Sequence, residues 1–299
     1  MVRPAAFGPN PETAATNRFQ ATGATDPEIV ATAQAEFDGL ARALADAGIE
    51  VMRVEDTSEP AKPDATFPNN WFSTHADGTA VLYPMLAPSR RLERRPEMLV
   101  AMAERHGRVL TATIDLSHWE REGCALEGTG SLVLDRRRRI AYACLSPRTA
   151  SAPLAQWARL MDYRVESFVA TGPDGVAIYH TNVMLTLGRG FAAVGLEAIA
   201  DAAERQHVAA SLEEGGCEIW ALDRRRLAGF AGNLLHLEGT HGPVIAMSET
   251  ARRSLGPALV TRLERYGEIV VAPIATIERY GGGSVRCMLA EMFLPRAPT

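Results

Sequence analysis

Residues 131–171 read SLVLDRRRRIAYACLSPRTASAPLAQWARLMDYRVESFVAT. Two short apolar runs flank a charged tip, an amphipathic stretch of about ten residues follows, and a β-branched run closes the segment. The pattern predicts a hairpin, a helix and a third strand. The four arginines at 136–139 are placed on the hairpin tip, because a run of like charge between apolar strands is solvated most cheaply at a turn. DRRR recurs at 223–226 and is read as a second tip.

Working outward, the same order recurs three times. Residues 69–85 (NNWFSTHADGTAVLYPM), 89–107 and 108–115 form one hairpin, helix and strand; residues 180–199, 201–216 and 217–222 form another; residues 229–248, 249–267 and 268–275 form the last. A final strand is predicted over SVRCMLAEMFLP (284–295), with no helix of its own. The helical stretch 26–48 and the strand IEVMRVE (49–55) complete a fifth unit with it. Five units of about fifty residues suggest radial repetition into a closed, propeller-like ring, which leaves no free sheet edge. In such a ring, equivalent positions converge on one axis. Asn70, Glu127, His180, Asn233 and Cys287 are spaced by 57, 53, 53 and 54 residues, each close to the opening strand of its unit.

The bulk composition excludes several classes. The chain has 299 residues, 46% of them hydrophobic, and a net charge of −5, so neither a nucleic acid nor a membrane surface is called for as partner. The opening MVRPAAFGPNPETAATN lacks the apolar core of a signal peptide, and no segment approaches eighteen continuous apolar residues, so a cytoplasmic location is expected. The four cysteines are far apart with no C-x-x-C pair, which argues for reduced thiols and against a zinc knuckle. No metal and no cofactor are expected. The oligomeric state, homo-oligomer included, is left open.

Among groups able to do chemistry, Cys287 follows the glycine-rich turn YGGGSVRC, where backbone amides and Arg286 can favour the thiolate. GGGS is not read as a phosphate loop, since no helix or lysine follows. Cys144 and Cys217 lie in apolar strand patterns and read as inert packing thiols. His180 opens the run HTNVMLTLG, with Asn182 two residues on and on the same face of a strand. Beside Cys287 and Glu127, it would move protons while the carboxylate orients it. The other six histidines lie in turns, helices or tips and are given surface or packing roles.

In order, PDATFPNNW, LEGTGSL, HTNVML and GGGSVRC resemble the signature of the guanidino-group-modifying, or pentein, superfamily of arginine deiminases, dimethylarginine dimethylaminohydrolases and amidinotransferases. The resemblance spans nearly the whole chain and is nearest to the citrulline-utilisation hydrolases, which share FPNNWFSTH and HTNV. It implies an α/β-propeller of five pseudosymmetric ββαβ units around a central active site, in a single domain over residues 1–299. It also implies cysteine-based covalent catalysis on an amino-acid substrate. By motif position Cys287 is the expected nucleophile, His180 the general acid and base, and Glu127 the carboxylate that binds a substrate nitrogen. Asp64 falls where the substrate α-ammonium is gripped. Arg90 and Arg148 fall where the α-carboxylate is bound, with Arg91 adjacent to Arg90.

The sequence departs from the deiminase pattern at Asn70 and Asn182, where enzymes acting on a cationic guanidinium carry carboxylates. An amide removes the counter-charge and adds a donor. The expectation is therefore a hydrolase for a neutral ureido group, citrulline to ornithine, carbon dioxide and ammonia through an S-carbamoyl enzyme. The alternative is an arginine deiminase or dimethylarginine dimethylaminohydrolase. Amidinotransfer would need an acceptor amine and the exclusion of water. A third reading is a non-catalytic binding module, like the five-unit ring of translation initiation factor six, and the joint presence of Cys287, His180 and Glu127 speaks against it.

Overall fold

The computed structural model describes every residue except Thr25 and Thr299. A parallel pair joins β1 (Val2–Arg3) to β2 (Val54–Glu55). Four three-stranded sheets follow, composed of β3 (Phe72–Thr74), β4 (Thr79–Leu82) and β5 (Ala112–Asp115); β6 (Val133–Asp135), β7 (Ile140–Cys144) and β8 (Arg164–Phe168); β9 (Leu185–Gly188), β10 (Phe191–Val194) and β11 (Glu218–Ala221); and β12 (Leu235–Gly239), β13 (Gly242–Ser248) and β14 (Glu268–Ala272). All four share one wiring. The first two strands form an antiparallel hairpin, and the third returns parallel to the second after a helical crossover. The crossovers are Pro96–Arg105, Ser151–Met161, Ala202–Glu214 and the pair Glu249–Leu255 and Pro257–Leu263. The predicted hairpin–helix–strand order holds in each, giving an α/β fold of several small sheets.

Burial explains why each middle strand carries the richest apolar sequence. Every residue of β7 and β10 is buried, whereas β5 is mostly exposed. The middle strand is covered by a neighbour on each edge and by helices on a face, so it reads as a continuous apolar run.

Helix Pro27–Asp46 opens on Asp26, whose side chain accepts from the Glu28 N–H at 2.8 Å, with a proline in the first turn. Its apolar residues Ala33, Phe37, Leu40, Ala41 and Leu44 recur every three or four positions and bury one face against β14. Phe37, Leu40 and Leu44 contribute about 1.5–3 kcal/mol each on burial. From the same helix Glu36 accepts the backbone N–H groups of Thr276 and Ile277 at 2.8 and 2.9 Å, which pins the start of helix Ala275–Gly281, just ahead of the glycine triplet.

Four sequence expectations change. The helix expected over 89–107 is two, Pro88–Arg91 and Pro96–Arg105, because Pro96 disfavours helical backbone at Arg95. Residues 223–226 are not a hairpin tip: Asp223 accepts from the Arg226 N–H at 2.8 Å and caps the short helix Arg224–Ala228. The strand expected over 284–295 is a 3-10 turn, Val285–Met288, followed by irregular chain, and it buries Val285, Met288 and Leu294 by packing under the sheets. Of the strand over 49–55, only Val54–Glu55 pairs. Among the described residues no helix is long and apolar enough to cross a membrane.

Candidate active site

The five equally spaced residues are all buried: Asn70, Glu127, His180, Asn233 and Cys287 are 3% exposed or less. In three units the residue sits on a short helical turn that delivers the chain into the opening strand. Asn70 ends the 3-10 turn Pro68–Asn70 before β3, Glu127 caps the turn Gly128–Ser131 before β6, and His180 caps Thr181–Val183 before β9. Asn233 precedes β12, and Cys287 lies in the 3-10 turn Val285–Met288.

LEGTGSL is glycine-rich for a steric reason. Gly128 has φ +47°, and a Cβ there would lie 2.2 Å from the Asn69 carbonyl. At Gly130 a Cβ would lie 2.3 Å from Asn70 Nδ2 and 2.8 Å from the His180 ring. The turns of three units press together here, and only glycine permits it.

His180 Nε2 lies 2.8 Å from Glu127 Oε2. Burial pushes the Glu127 carboxyl up, but Arg148 (3.5 Å), His180 and Arg90 (3.7 Å) together outweigh it and hold the group well below the usual carboxylate range. Burial lowers His180 to about 4 despite Glu127. The resting pair is therefore a carboxylate and a neutral imidazole. Since a carboxylate can only accept, Nε2 carries the proton and Nδ1 is left as the base.

The Cys287 sulfur receives two amides: Asn233 Nδ2 donates to Sγ at 3.4 Å and Asn182 Nδ2 at 3.5 Å. Asn233 is itself fixed, donating to the Asn182 carbonyl (2.9 Å) and accepting from the Arg286 N–H (3.1 Å). Two amide donors thus bracket the sulfur.

Arg90, and not Arg91, enters the site. Its guanidinium makes a two-pronged bond to Glu93, at 2.9 Å on each prong, donates to Asn70 Oδ1 at 2.9 Å, and lies 3.9 Å from Asp64. Burial raises Glu93 to about 7 against the opposing pull of Arg90. Arg91 is half-buried beside Glu120 instead. Arg148 donates to the Thr13 carbonyl and to Thr16 Oγ1, and Asp64 accepts from Asn10 Nδ2 at 2.7 Å. These contacts close the N-terminal segment over a cavity of about 10 Å³, lined by Asp64, Asn70, Arg90, Arg148, His180 and Cys287 among others. That is room for roughly one water. Glu127 and Asn182 stand behind this wall.

Asn70 shows a telling imbalance. Its Oδ1 is used by Arg90, but among the described residues its buried Nδ2 has no partner; Asn182 has the reverse, a buried Oδ1 with none among them. Sequence reasoning missed Asn10, Thr13 and Thr16, which lie in a segment whose composition looks like a plain loop, and Glu93, which looks like one charge in a charged run. The spacing singled out Asn233 without giving it a role.

An imidazole and a thiol on one cavity, with a carboxylate behind the imidazole, carried by repeated ββαβ units, define the pentein class of guanidino-group-modifying proteins. The model of eukaryotic N,N-dimethylarginine dimethylhydrolases matches residues 3–294, and the chain belongs to that family. No curated protein sequence matches it. The fold is similar to the solved product-bound N-terminal domain of ArgZ, an arginine dihydrolase from the ornithine–ammonia cycle in Cyanobacteria, at 18% identity and TM-score 0.73, covering 100% of this chain and 98% of that one. Unliganded AgrE is similar at 18% and 0.70, with 99% of this chain matching 40% of that one. A histidine-to-glycine variant of a dimethylarginine dimethylaminohydrolase, solved as its adduct with S-methyl-L-thiocitrulline, is similar at 14% and 0.65, covering 95% and 96%.

Proposed function

We propose that the protein is a cysteine hydrolase that cleaves the ureido C–N bond of citrulline, releasing ornithine, carbon dioxide and ammonia. The observation that carries this reading is Asn70 on the wall of the Cys287 cavity, with a buried Nδ2 that has no partner among the described residues. The carboxylates nearby are engaged: Glu127 by His180, Glu93 by Arg90, Asp64 by Asn10. What the site leaves unused at Asn70 is a neutral donor, which suits a carbonyl oxygen and offers a guanidinium nothing.

In this reading His180 Nδ1 takes the thiol proton and the Cys287 thiolate adds to the ureido carbon. Amide donors offset the charge on the ureido oxygen. The imidazolium then protonates the departing ornithine nitrogen as the C–N bond breaks, leaving an S-carbamoyl cysteine. Water, deprotonated by His180, displaces the sulfur and gives carbamate, which decomposes to carbon dioxide and ammonia. Asp64 would hold the α-ammonium, and Arg148 with Arg90 the α-carboxylate, once the N-terminal segment releases Asp64 and Arg148. β1, β2 and helix Pro27–Asp46 would be the fifth unit of a ring around this site.

A second reading is favoured by the likeness to ArgZ, described as an arginine dihydrolase: two successive hydrolyses, the second on a ureido group. The family model adds dimethylarginine as a substrate to test. The purified protein is incubated separately with citrulline, arginine and dimethylarginine, and ornithine, citrulline, ammonia and dimethylamine are quantified. Ornithine from citrulline supports the first reading. Ornithine from arginine as well supports the second. Citrulline accumulating from either guanidino substrate, with citrulline itself inert, refutes both.

A further inference from the structure

Among the described residues three arginines are buried, Arg90, Arg148 and Arg286. The first two face carboxylates, Glu93 at 2.9 Å and Glu127 at 3.5 Å. Arg286 has none: among the described residues no carboxylate lies within 4 Å of its guanidinium, although the residue is only 7% exposed. Its one protein acceptor among them is the Leu185 carbonyl, 2.9 Å from Nη1. Nε and Nη2 donate to no described protein atom and are not sealed from space, so they face the cavity that Arg286 lines. A desolvated cation without a counter-ion costs several kcal/mol, a cost that a bound anion would remove.

The cavity measures about 300 Å³ and shares no lining residue with the catalytic cavity. Arg136, Arg137 and Arg189 also line it. Of its acidic residues, Glu238 pairs with Arg189 at 2.8 Å, and Asp135 pairs with the Arg138 guanidinium at 3.9 Å while accepting from the Arg138 N–H at 3.0 Å. Glu291 attracts Arg286 from beyond 4 Å. Setting these pairs aside leaves Arg286, Arg136 and Arg137 against one carboxylate, an excess of positive charge suited to a dianion, although the Arg136 guanidinium is stacked on Phe293 at 3.7 Å and donates to the Thr74 carbonyl at 3.3 Å.

We propose that this cavity is a phosphate site, for inorganic phosphate or the phosphate of a small metabolite, held by the Arg286 guanidinium and closed at its mouth by Arg136 and Arg137. A guanidinium fork matches two oxygens of a tetrahedral oxyanion, and Arg136 would leave Phe293 to supply a second fork. The site backs onto the chemistry: the Arg286 N–H is held by Asn233, and Cys287 is the next residue.

The test is calorimetric titration of the full chain with inorganic phosphate and, separately, ribose 5-phosphate, at constant ionic strength. At least one should saturate at one site per chain with Kd at or below about 1 mM. Saturation by both marks the phosphate group as the determinant; saturation by the sugar phosphate alone marks a metabolite. Arg286→Met should weaken binding by at least about tenfold, the loss of one charged hydrogen bond. If neither ligand saturates, or only with a Kd above about 10 mM, or if Arg286→Met binds as the wild type does, the proposal is wrong. Should that variant not fold, the Arg136→Gln, Arg137→Gln double variant decides, and unchanged affinity there overturns the proposal.

Discussion

Replacing Asn70 by Asp exchanges an amide for a carboxylate without changing its shape. The side chain sits on the cavity wall with Oδ1 accepting from Arg90 Nη1 at 2.9 Å and Nδ2 unpartnered, so the Arg90 bond survives while the free donor is lost. Arg90 is shared among three carboxylates within 4 Å, Glu93, Glu127 and Asp64, so it offsets only part of a further negative charge at position 70. The added charge is therefore available to a bound cation. A charge-assisted hydrogen bond to a guanidinium contributes about 1.5–3 kcal/mol, and a ureido oxygen facing a carboxylate instead of an N–H loses about 1–3. Together these move the preference toward arginine by about 2.5–6 kcal/mol, roughly two to four powers of ten. The assay is the ratio of kcat/KM for arginine to that for citrulline. Where turnover is too slow, the ratio of Kd values is measured on a Cys287→Ser background. A ratio that moves by less than about threefold in a folded Asn70→Asp protein refutes the charge-matching argument.

Cys287→Ser should abolish turnover with an unchanged thermal unfolding midpoint, and iodoacetamide should label Cys287 first; Cys144, fully buried with its thiol pushed up to about 12, should be the slowest. Asn233→Ala removes one of two donors to Sγ, so alkylation of Cys287 at fixed pH should slow by about tenfold; an unchanged rate would deny Asn233 any role at the sulfur. Glu93→Gln strips the two-pronged counter-charge from buried Arg90 and should destabilise the fold by about 3–5 kcal/mol at pH 8 in denaturant unfolding. His180 is neutral in the fold down to about pH 4, whereas the unfolded chain binds that proton near 6.5. Between those values the unfolded state holds more protons, so stability falls as pH falls. The unfolding free energy of the wild type minus that of His180→Asn should therefore drop by up to about 3 kcal/mol from pH 7 to pH 4; a flat difference would contradict the lowered value.

Much of the site was legible in the chain because repetition converts distance in sequence into position. Asn70, Glu127, His180, Asn233 and Cys287 fall at nearly equal steps, and similar local signals, a short turn before an apolar strand, deliver most of them inward. Alternation and helical spacing fixed the hairpins and crossovers wherever a strand had neighbours to cover it. The same alternation failed at 284–295, where Val285, Met288 and Leu294 are buried without any paired strand, since a periodic pattern reports which residues avoid water and not how the backbone is satisfied.

By itself the sequence determined the unit, its fourfold recurrence, and which thiol, imidazole and carboxylate stand at equivalent places, because these depend on contacts within about fifty residues. Only the tertiary structure decided the partners. That Arg90 answers Glu93 and Asn70, that two amides bracket the Cys287 sulfur, that Thr13 and Thr16 occupy Arg148, and that Arg286 is left without a counter-ion are all matters of side chains from distant segments meeting in a dry interior. There an unmatched charge or donor carries a cost that water would otherwise hide, and no local pattern records it.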